Sequence, residues 1–539
     1  MTDTARPPAQ SETTGGPKPH AKIILIGLML GMFLSSLDQT VVATAMRTIT
    51  DDLHGLTQQA WVTTVYLITS VVSTALYGKL SDDHGRRPVY LLAVGIFLAG
   101  SVLAGLSQEM WQLIASRAVQ GIGAGGLMSL AFTILADVVP MPQRTRYQAW
   151  FGAVFGVSAV VGPVVGGWFA GMDTFLGATG WRWAFFINVP IAVAAMAIIG
   201  RLLRLPKPQA AGRQTDVLGL ATLVVCLVPL LIAAEQGRAW GWGSGSTLAL
   251  FAVGVVGLVL FLLAQRRAGE AAILPLSLFR NRVFTLVNGA NVIVGMGVFG
   301  VLTVLPMYLQ IVRGLTPTQA GLMLLPQTVG IVLSGRVAGP YVARTGNYKI
   351  VIATGVVLMA VASWWLSTTK MDTGLWQTGG ATLVMGVGVG FSWQVMLVAI
   401  QRNAAPQNMG AAMASYTFFR QIGSTAGASV FLAVFFGTVS GHVARSYADA
   451  ASDSAFAAAA HDPSVASQPA NRILLRGADG SLDLDDTSFL AHADDRIARP
   501  LLQAMTQAID EVYLVSGCFL VLGVLLSLFV PQQRPHQTA

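Results

Sequence analysis

The sequence KIILIGLMLGMFLSSLDQTVVATAM, residues 22–46, contains a single acidic residue, Asp38, in an uncharged run that follows Lys22. A run of this length predicts a helix that crosses a membrane, because about 20 apolar residues span the hydrocarbon. A carboxylate near the middle of a bilayer costs about 3 kcal/mol or more. The segment therefore predicts a membrane protein in which Asp38 has a function or a buried partner.

Composition extends this prediction to the whole chain. Of the 539 residues, 54% are hydrophobic and only 11% are charged, whereas soluble domains carry about 25% charged residues. The net charge of +8 does not indicate a nucleic-acid partner, because the basic residues are scattered through short loops. Cys226 and Cys518 both lie in apolar runs, without the spacing of a disulfide framework or a metal site. We predict no metal and no cofactor.

Apolar runs long enough to cross the hydrocarbon predict fourteen membrane spans. The only long connection, residues 439–510, separates the last two spans. The predicted spans are 22–46, 59–79, 88–107, 111–136, 147–171, 184–203, 215–235, 246–265, 283–310, 318–341, 349–369, 375–400, 408–438 and 511–531.

The distribution of Lys and Arg predicts the orientation of the spans, since cytoplasmic loops carry an excess of these residues. With the N-terminus inside, 21 of the 33 Lys and Arg residues fall on the cytoplasmic side and only 5 fall in short outer loops. Both termini are therefore predicted to be cytoplasmic. Residues 1–21 are polar and Pro-rich and predict a disordered tail, not a signal peptide. Residues 532–539 are predicted to form a second cytoplasmic tail.

The long extracytoplasmic loop, 439–510, is rich in Ala, Asp and Ser. Its second half, FLAHADDRIARPLLQAMTQAID, is compatible with an amphipathic helix before the last span. Two interpretations stay open for the loop. It is either a solvated connector, or a lid or partner site.

An internal repeat indicates two related halves. The loop after span 2, GKLSDDHGRRPVY from Gly78, and the loop after span 10, GPYVARTGNYKIV from Gly339, both carry a second glycine seven residues on. Similar loops at equivalent positions predict two six-helix bundles with two inserted spans between them. The corresponding segments are an N-terminal bundle at 22–205, an inserted pair at 206–270 and a C-terminal bundle at 271–531.

Five motifs resemble those of the major facilitator superfamily, and in detail those of its 14-span drug:proton antiporters of the EmrB/QacA type. The resemblance covers about 22–440 and 511–531. It implies an all-α polytopic membrane protein with the major facilitator fold and 14 transmembrane helices arranged as 6+2+6. The motifs are LDQTVVATAM (37–46), GKLSDDHGRRPVY (78–90), RAVQGIGAGG (117–126), GVSAVVGPVVGGW (156–168) and WRWAFFINVP (181–190).

The second motif implies a gate on the cytoplasmic side. Asp82 is expected to pair with a following arginine or to meet a neighbouring helix end, and so to latch the gate. A topology signal alone is the alternative. The family usually has a basic residue where this chain has Asp83, which alters the local charge network. The gating residues implied by the resemblance are Gly78, Asp82, Gly85, Arg86 and Arg87.

The fourth motif implies an antiporter. Small residues let membrane helices pack closely, and a proline frees one carbonyl and kinks the helix. We expect a smooth, bendable face of span 5 that rocks against the other half, with static packing as the alternative. The residues of this face are Gly156, Gly162, Pro163, Gly166 and Gly167.

Two charges fall at similar depth in the first bundle. Asp38 lies 16 residues past Lys22, or about 24 Å along the helix. Arg117 lies about six residues inside span 4, or about 9 Å from its outer start. A direct ion pair and a shared polar network both fit this placement. We predict that Asp38 is a proton site and that Arg117 tunes it, with a purely structural pair as the alternative.

Arg420 is a third charge inside a span, about 18 Å deep in span 13. We expect it to face a cavity or a partner, and a structural role stays open. Flexible and aromatic surfaces suit varied apolar ligands. The residues predicted to line a substrate cavity are Arg420, Gln421, Tyr416, Trp393, Gln394 and Tyr308.

These features predict a proton-coupled secondary active exporter of amphipathic or lipophilic small molecules, a multidrug efflux pump in the cell membrane. The expected partners are the small-molecule substrate, protons and the lipid bilayer, and the protein is expected to be a monomer. A dedicated exporter of one metabolite, antibiotic, siderophore or envelope lipid is the alternative. A polytopic enzyme is disfavoured, because all 7 histidines fall in tails or loops.

Overall fold

The computed structural model describes residues 20–54, 58–205, 216–405, 408–477 and 488–531, which are almost entirely helical. Within these ranges, 14 helices or helix pairs are long and apolar enough to cross a membrane, the number predicted from the sequence. The predicted tail 532–539 lies outside the described residues, as do residues 1–19 of the predicted tail 1–21.

The structure divides some predicted spans and lengthens others. The sixth and tenth spans each consist of two helices, and the ninth ends in a π-helix. One short antiparallel pair, β1 (Thr174–Phe175) and β2 (Ala178–Thr179), follows the fifth span. Short 3₁₀ helices cover 180–182, 269–271, 276–280 and 488–492, and the π-helix covers 308–312.

The α-helices are α1 (Ala21–Asp52), α2 (Gln59–His84), α3 (Arg86–Leu106), α4 (Met110–Val138), α5 (Met141–Ala170), α6 (Trp183–Phe186), α7 (Asn188–Leu202), α8 (Val217–Trp240), α9 (Gly245–Ala268), α10 (Arg282–Met307), α11 (Pro317–Leu322), α12 (Leu325–Thr345), α13 (Tyr348–Leu366), α14 (Leu375–Asn403), α15 (Met409–Ala450), α16 (Ser454–His461), α17 (Pro463–Ala466), α18 (Pro469–Arg476) and α19 (Asp495–Leu528).

The helices form two bundles, each with its own hydrophobic core. Helices α1–α7 form the first half, and α10–α15 with α19 form the second half. Helices α8 and α9 pack on each other and reach the seam between the halves, where Leu227 clusters with Val71 of α2 and Phe418 of α15. Val255, Val256 and Leu263 of α9 are more than half exposed, as expected of side chains that face lipid. This packing is consistent with the predicted 6+2+6 arrangement.

The bundle has two distinct faces. The motif face is the face that holds the turn at Gly85, and the cap face is the opposite one. Helix α15 has 42 residues, a length of about 63 Å, so it extends well past a hydrocarbon core of about 30 Å. Its last turns and the first turns of α19 project together from the cap face.

The predicted loop 439–510 is largely helical in its described part. Helices α16–α18 pack against the ends of α15 and α19, and Leu474 and Ile497 are fully buried there. The Tyr447 hydroxyl donates to the Ile497 carbonyl at 3.0 Å. The described part of the segment is therefore not a solvated connector, because its buried side chains join the hydrophobic core of the second half. The amphipathic helix expected in its second half is present, but it is continuous with the last span as one helix, α19.

Candidate functional site

Asp38 and Arg117 form a direct ion pair inside the first half. The Arg117 Nη1 donates to Asp38 Oδ2. Asp38 is 0% exposed and Arg117 is 1% exposed, so neither charge contacts solvent. The sequence left two arrangements open, a direct ion pair and a shared polar network. The structure contains both, because the ion pair lies at the centre of a polar network.

Three further side chains complete this network around Asp38. Gln120 Nε2 and Asn188 Nδ2 donate to Asp38 Oδ1 at 2.7 and 3.0 Å. Both amides also donate to the Ser101 hydroxyl, at 2.6 and 3.1 Å respectively. The carboxylate thus accepts hydrogen bonds from side chains of α4 and α7. Hydrogen bonds to an ionised group are stronger than those between two neutral groups.

Arg117 has partners besides the carboxylate. Its Nη1 donates to Gln120 Oε1 at 2.6 Å, and its Nε donates to the Val62 carbonyl at 3.4 Å. The guanidinium lies over the Tyr66 ring at 4.1 Å from the centroid, a cation–π geometry. These contacts fix the guanidinium even if the carboxylate becomes neutral.

Sequence reasoning missed Gln120, Asn188, Ser101 and Tyr66. A signal was present for the first two, because Gln120 lies in RAVQGIGAGG and Asn188 lies in WRWAFFINVP, each a polar residue in an apolar motif. Polar side chains in a membrane helix are expected to find partners. Ser101 and Tyr66 carried no such signal, because isolated Ser and Tyr residues are common in membrane helices.

Asp82 connects the two halves at the motif face. It pairs with Arg86 Nη1 at 2.5 Å and accepts hydrogen bonds from the backbone N–H groups of Gly410 and Ala411 at 2.9 and 2.8 Å. These amides belong to the first turn of α15, where the helix dipole favours a negative charge. Of the two arginines proposed as partners, Arg86 forms the pair and Arg87 is exposed.

Arg86 connects this contact to other helices of the first half. Its Nε donates to Asp137 Oδ2 of α4 at 2.9 Å, and its Nη1 also donates to the Ser81 hydroxyl at 2.8 Å. Asp83 points elsewhere, to Lys79 of the same helix at 3.8 Å. The unusual acidic residue in the motif therefore joins no contact between the halves.

Two glycines allow this contact between α2 and α15. A Cβ atom on Gly78 would lie 2.6 Å from the Gly410 carbonyl oxygen, and a Cβ on Gly410 would overlap the Gly78 carbonyl. Gly85, between α2 and α3, has a φ of 92°, a backbone conformation that favours glycine. Gly78 thus allows the close approach of the two helices, and Gly85 allows the tight turn between α2 and α3.

Arg144 provides a second contact between the halves at the motif face. It lies just before the membrane part of α5, donates from Nε to the Val139 carbonyl at 2.9 Å, and donates from Nη1 to Gln401 Oε1 of α14 at 3.2 Å. Burial lowers the pKa of the Arg144 guanidinium from its ordinary value. Both bundles are therefore joined on this face by charged side chains.

The glycines of α5 face two directions. A Cβ on Gly156 would overlap Thr328 of α12, so Gly156 packs across to the second half. A Cβ on Gly162 would overlap Thr40 of α1, and one on Gly166 would lie 2.7 Å from the Val41 carbonyl oxygen. The expected single sliding face is thus wrong for Gly162 and Gly166, which lock α5 onto α1 within the first half.

The remaining residues of the motif differ from these three. Gly167 has room for a methyl group, since its nearest neighbour would be Thr44 at 3.9 Å. Pro163 lies inside the continuous helix α5, where it removes the hydrogen bond to the Ala159 carbonyl. That carbonyl faces Gly321 of α11 in the second half. Helix α5 therefore touches α1 on one side and the second half on the other.

A cavity of about 230 Å³ lies between the halves. Its walls come from α4 and α5 on one side and from α10, α12, α14 and α15 on the other. Most of the lining is apolar, including Phe132, Phe155 and Phe299, and Arg420 is the one charged residue among the described residues of the wall. The Arg420 guanidinium lies over the Trp393 ring at 5.2 Å.

Comparisons with known proteins agree with this architecture. Residues 28–428 match the family model of the Major Facilitator Superfamily. The chain belongs to the major facilitator superfamily. It is 34% identical over 420 residues to the Multidrug transporter protein MdtP of Bacillus subtilis (strain 168), covering 78% of this chain and 76% of that protein. It is 31% identical over 533 residues to Multidrug resistance protein 3 of the same organism, covering 98% of each.

A solved member of the superfamily shares the fold. The proton:xylose symporter XylE, bound to 6-bromo-6-deoxy-D-glucose, has a TM-score of 0.58 and 16% sequence identity, and the match covers 96% of this chain and 97% of XylE. The predicted all-α major facilitator fold is therefore confirmed. Membership in the superfamily and relatives named as transporters indicate a multi-pass membrane transporter.

Within this major facilitator protein, four of the six predicted cavity residues line the cavity: Tyr416, Arg420, Trp393 and Gln394. The prediction is wrong for Tyr308, which begins the π-helix after α10 and donates from its hydroxyl to the Lys370 carbonyl at 2.9 Å. It is also wrong for Gln421, which follows Arg420 on α15 but is not among the residues that line the cavity.

Proposed function

We propose that the protein is a proton-coupled exporter of amphipathic or lipophilic small molecules. The observation that carries this proposal is the fully buried Asp38–Arg117 pair in one half, next to a separate cavity between the halves. A titratable carboxylate kept in low dielectric is costly, and a proton site explains that cost. The multidrug names of two relatives support efflux as the direction of transport.

Proton binding to Asp38 changes the balance of the buried network. A neutral acid at position 38 no longer carries the charge that attracts the Arg117 guanidinium. On protonation, Arg117 keeps Gln120 Oε1 and the Val62 carbonyl as acceptors. Protonation of Asp38 therefore weakens the ion pair that holds α1 to α4. The Arg117 guanidinium keeps its other hydrogen-bond acceptors.

Helix α5 carries this change to the cavity. Thr40, two residues after Asp38, donates to the Ser158 carbonyl of α5 at 3.1 Å, and Gly162 packs on the same threonine. On its other side α5 contributes Gly156 and Ala159 to the cavity wall. A shift of α1 on protonation thus reaches the substrate cavity through one helix.

The gate and the topology complete the proposal. Asp82 latches the motif face through Arg86 and the start of α15, and this face is cytoplasmic. The segments 22–205 and 271–531 act as two bundles in the cell membrane, with both termini inside, and the protein works as a monomer. A dedicated exporter of one metabolite or lipid is the second form of this function, and the mechanism is the same for both.

The energy available from one proton is sufficient for useful export. An elementary charge gains about 2.3 kcal/mol per 100 mV, so at ~150 mV one proton supplies about 3.5 kcal/mol. This corresponds to a substrate gradient of roughly 300-fold, at about 1.4 kcal/mol per tenfold.

The test is substrate flux in proteoliposomes with an imposed pH gradient and no nucleotide. Asp38→Asn mimics the neutral acid and is expected to bind substrate but to lose pH-driven accumulation. Asp51→Asn is the matched control, because Asp51 lies on the same helix but is exposed. Full pH-driven accumulation by Asp38→Asn would show that another group carries the proton.

A labelling experiment tests the topology. In a background without Cys226 and Cys518, cysteines at Gln10 and Ala210 are expected to react only from the cytoplasmic side, and one at Ala460 only from the outside. Protection of position 460 from an impermeant reagent added outside would overturn the assignment.

A further inference from the structure

We propose that the cavity between the halves binds compact lipophilic organic anions, with the acidic group of the ligand held at Arg420. This inference rests on the proposed exporter function for its biological role, but the binding chemistry can be tested without transport. It concerns four side chains on the cavity wall, Arg420, Trp393, Gln148 and Gln394.

The charge of the cavity is uncompensated. Arg420 is the one charged residue among the described residues that line it, and no described carboxylate lies within ion-pair distance of its guanidinium. Its contact there is the Trp393 ring at 5.2 Å. An unpaired guanidinium in low dielectric is costly, and an anionic ligand would supply the missing charge in the bidentate geometry that arginine favours.

Unpartnered polar atoms on the same walls point to the same ligand class. Trp393 Nε1 and both amide atoms of Gln148 are buried without a hydrogen-bond partner, as is Gln394 Oε1. Buried polar groups nearly always have partners, and an indole N–H can only donate. Besides Arg420, the wall thus holds two donors without an acceptor, Trp393 Nε1 in the second half and Gln148 Nε2 in the first half, and a small side-chain rotation toward an acid would satisfy them.

The rest of the cavity sets the size and polarity of the ligand. Its volume of about 230 Å³ lies below the range of about 300–1,000 Å³ common for drug-sized sites. The lining away from Arg420 is aromatic and aliphatic, with Phe132, Phe155, Phe299 and Leu302 among its members. A ligand of one or two rings that carries one acidic group fits this combination.

The same walls disfavour lipophilic cations. A cation in the cavity would meet the like charge of Arg420, and no acidic side chain of the described lining would compensate it. Aromatic rings do attract cations, but Trp393 already faces the guanidinium of Arg420. The cavity therefore selects its ligands by the sign of their charge as well as by their apolar surface.

The test uses three naphthalene probes of matched size: naphthalene-2-sulfonate (anion), naphthalene-2-sulfonamide (neutral) and 2-naphthylmethylammonium (cation). Binding to the purified full-length protein is measured by calorimetry without any gradient. The sulfonate is expected to bind at least about tenfold more tightly than the sulfonamide, since hydrogen bonds to charged groups are strong enough for this difference. Equal binding of the two, or tightest binding of the cation, would overturn the inference.

Variants separate charge recognition from folding. Arg420→Gln is expected to lose the preference for sulfonate and to keep the affinity for sulfonamide, which also reports an intact cavity. Arg420→Lys is expected to keep part of the preference, and Trp393→Phe to reduce it by removing one donor. Arg445→Gln is the control, because Arg445 is an exposed arginine on the same helix. An unchanged preference in both Arg420→Gln and Trp393→Phe would contradict the assignment.

Flux measurements keep this inference distinct from the proposed function. If the sulfonate binds selectively but no probe is moved by a pH gradient, the anion site stands and the exporter proposal fails. If the sulfonamide or the ammonium is exported and the sulfonate shows no preference in binding, the exporter proposal stands and the anion site fails.

Discussion

Arg117 and Arg420, one in each half, differ in what surrounds them: Arg117 is fully buried, whereas Arg420 is partly exposed. Arg117 in the first half contacts a carboxylate, an amide, a carbonyl and a tyrosine ring. Arg420 in the second half has a tryptophan ring beside its guanidinium and opens on a cavity. Both lie in membrane-spanning helices, so their depth alone does not explain the difference.

The two halves surround a charge inside a membrane-spanning helix differently. In the first half the charge is neutralised by the protein itself, and its state can change only by moving a proton. In the second half, no described carboxylate pairs with the guanidinium, which lies on the cavity wall. The proposal that protons bind in one half and substrate binds between the halves follows from this asymmetry.

The largest expected effect is a difference in the free energy of unfolding between variants of the two arginines. Arg117→Met leaves the Asp38 carboxylate buried without its counter-charge, and breaking a buried pair in this way costs about 3–5 kcal/mol. Arg420→Met removes a partly buried charge without leaving a described carboxylate unpaired, so the free energy of unfolding is expected to change by less than about 1 kcal/mol or to rise. Unfolding of both variants in the same detergent measures the difference. Equal losses would mean that Arg420 has a partner of comparable strength.

A double-mutant cycle tests whether the Asp38–Arg117 pair acts as a unit. Adding Asp38→Asn to Arg117→Met is expected to recover part of the lost stability, with an interaction energy of about 0.5–3 kcal/mol, because residues in one network are not additive. The same change added to Arg420→Met is expected to be additive within about 0.5 kcal/mol. Additivity in the first cycle would reduce the pair to two independent contacts.

A smaller effect tests the contact between α1 and α5 that connects the two regions. Gly162→Ala forces a methyl group onto Thr40 and is expected to cost about 1–3 kcal/mol of stability, together with slower pH-driven flux. Gly167→Ala is the matched control, since its methyl group has nearest contacts of 3.9 Å. Equal behaviour of the two variants would argue against a tight contact at Gly162.

The smallest effect concerns the latch at the motif face. Asp82→Asn weakens the interaction with the helix N-terminus at Gly410 and Ala411, worth about 0.3–1 kcal/mol, so the face is expected to open up to about fivefold more often. Alkylation of a cysteine at Ser415, a buried position next to the seam, measures that opening. Asp83→Asn is the control because its partner lies on its own helix. The same alkylation rate in all three proteins would leave the motif as a topology signal.

Much of the fold could be predicted from the sequence, because hydropathy and chain length are local properties. Runs of about 20 apolar residues located the fourteen spans, and the motifs at 37–46, 78–90 and 156–168 indicated the family. Helix ends were less accessible: α15 and α19 continue beyond the apolar runs, because packing of Tyr447 against Ile497 stabilises turns that hydropathy does not mark.

In the buried network around Asp38, only the two charged residues were predicted, whereas the cavity was predicted in Arg420 and three uncharged residues, Tyr416, Trp393 and Gln394. A carboxylate or a guanidinium inside an apolar run is visible in any sequence, so Asp38, Arg117 and Arg420 could be selected by their cost alone. Gln120 and Asn188 are neutral amides, and their importance depends on meeting Asp38 from two other helices. That meeting joins residues 82 and 150 positions apart in the chain.

The sequence by itself determined the membrane class, the number of spans, the family and the presence of three costly charges. The tertiary structure decided which of them meet. It selected Arg86 over Arg87 for Asp82, turned Gly162 and Gly166 toward α1, and excluded Tyr308 and Gln421 from the cavity. The physical reason is that the rotation of each helix about its own axis depends on close packing with distant segments, whereas hydropathy along one helix sets only whether that helix enters the membrane.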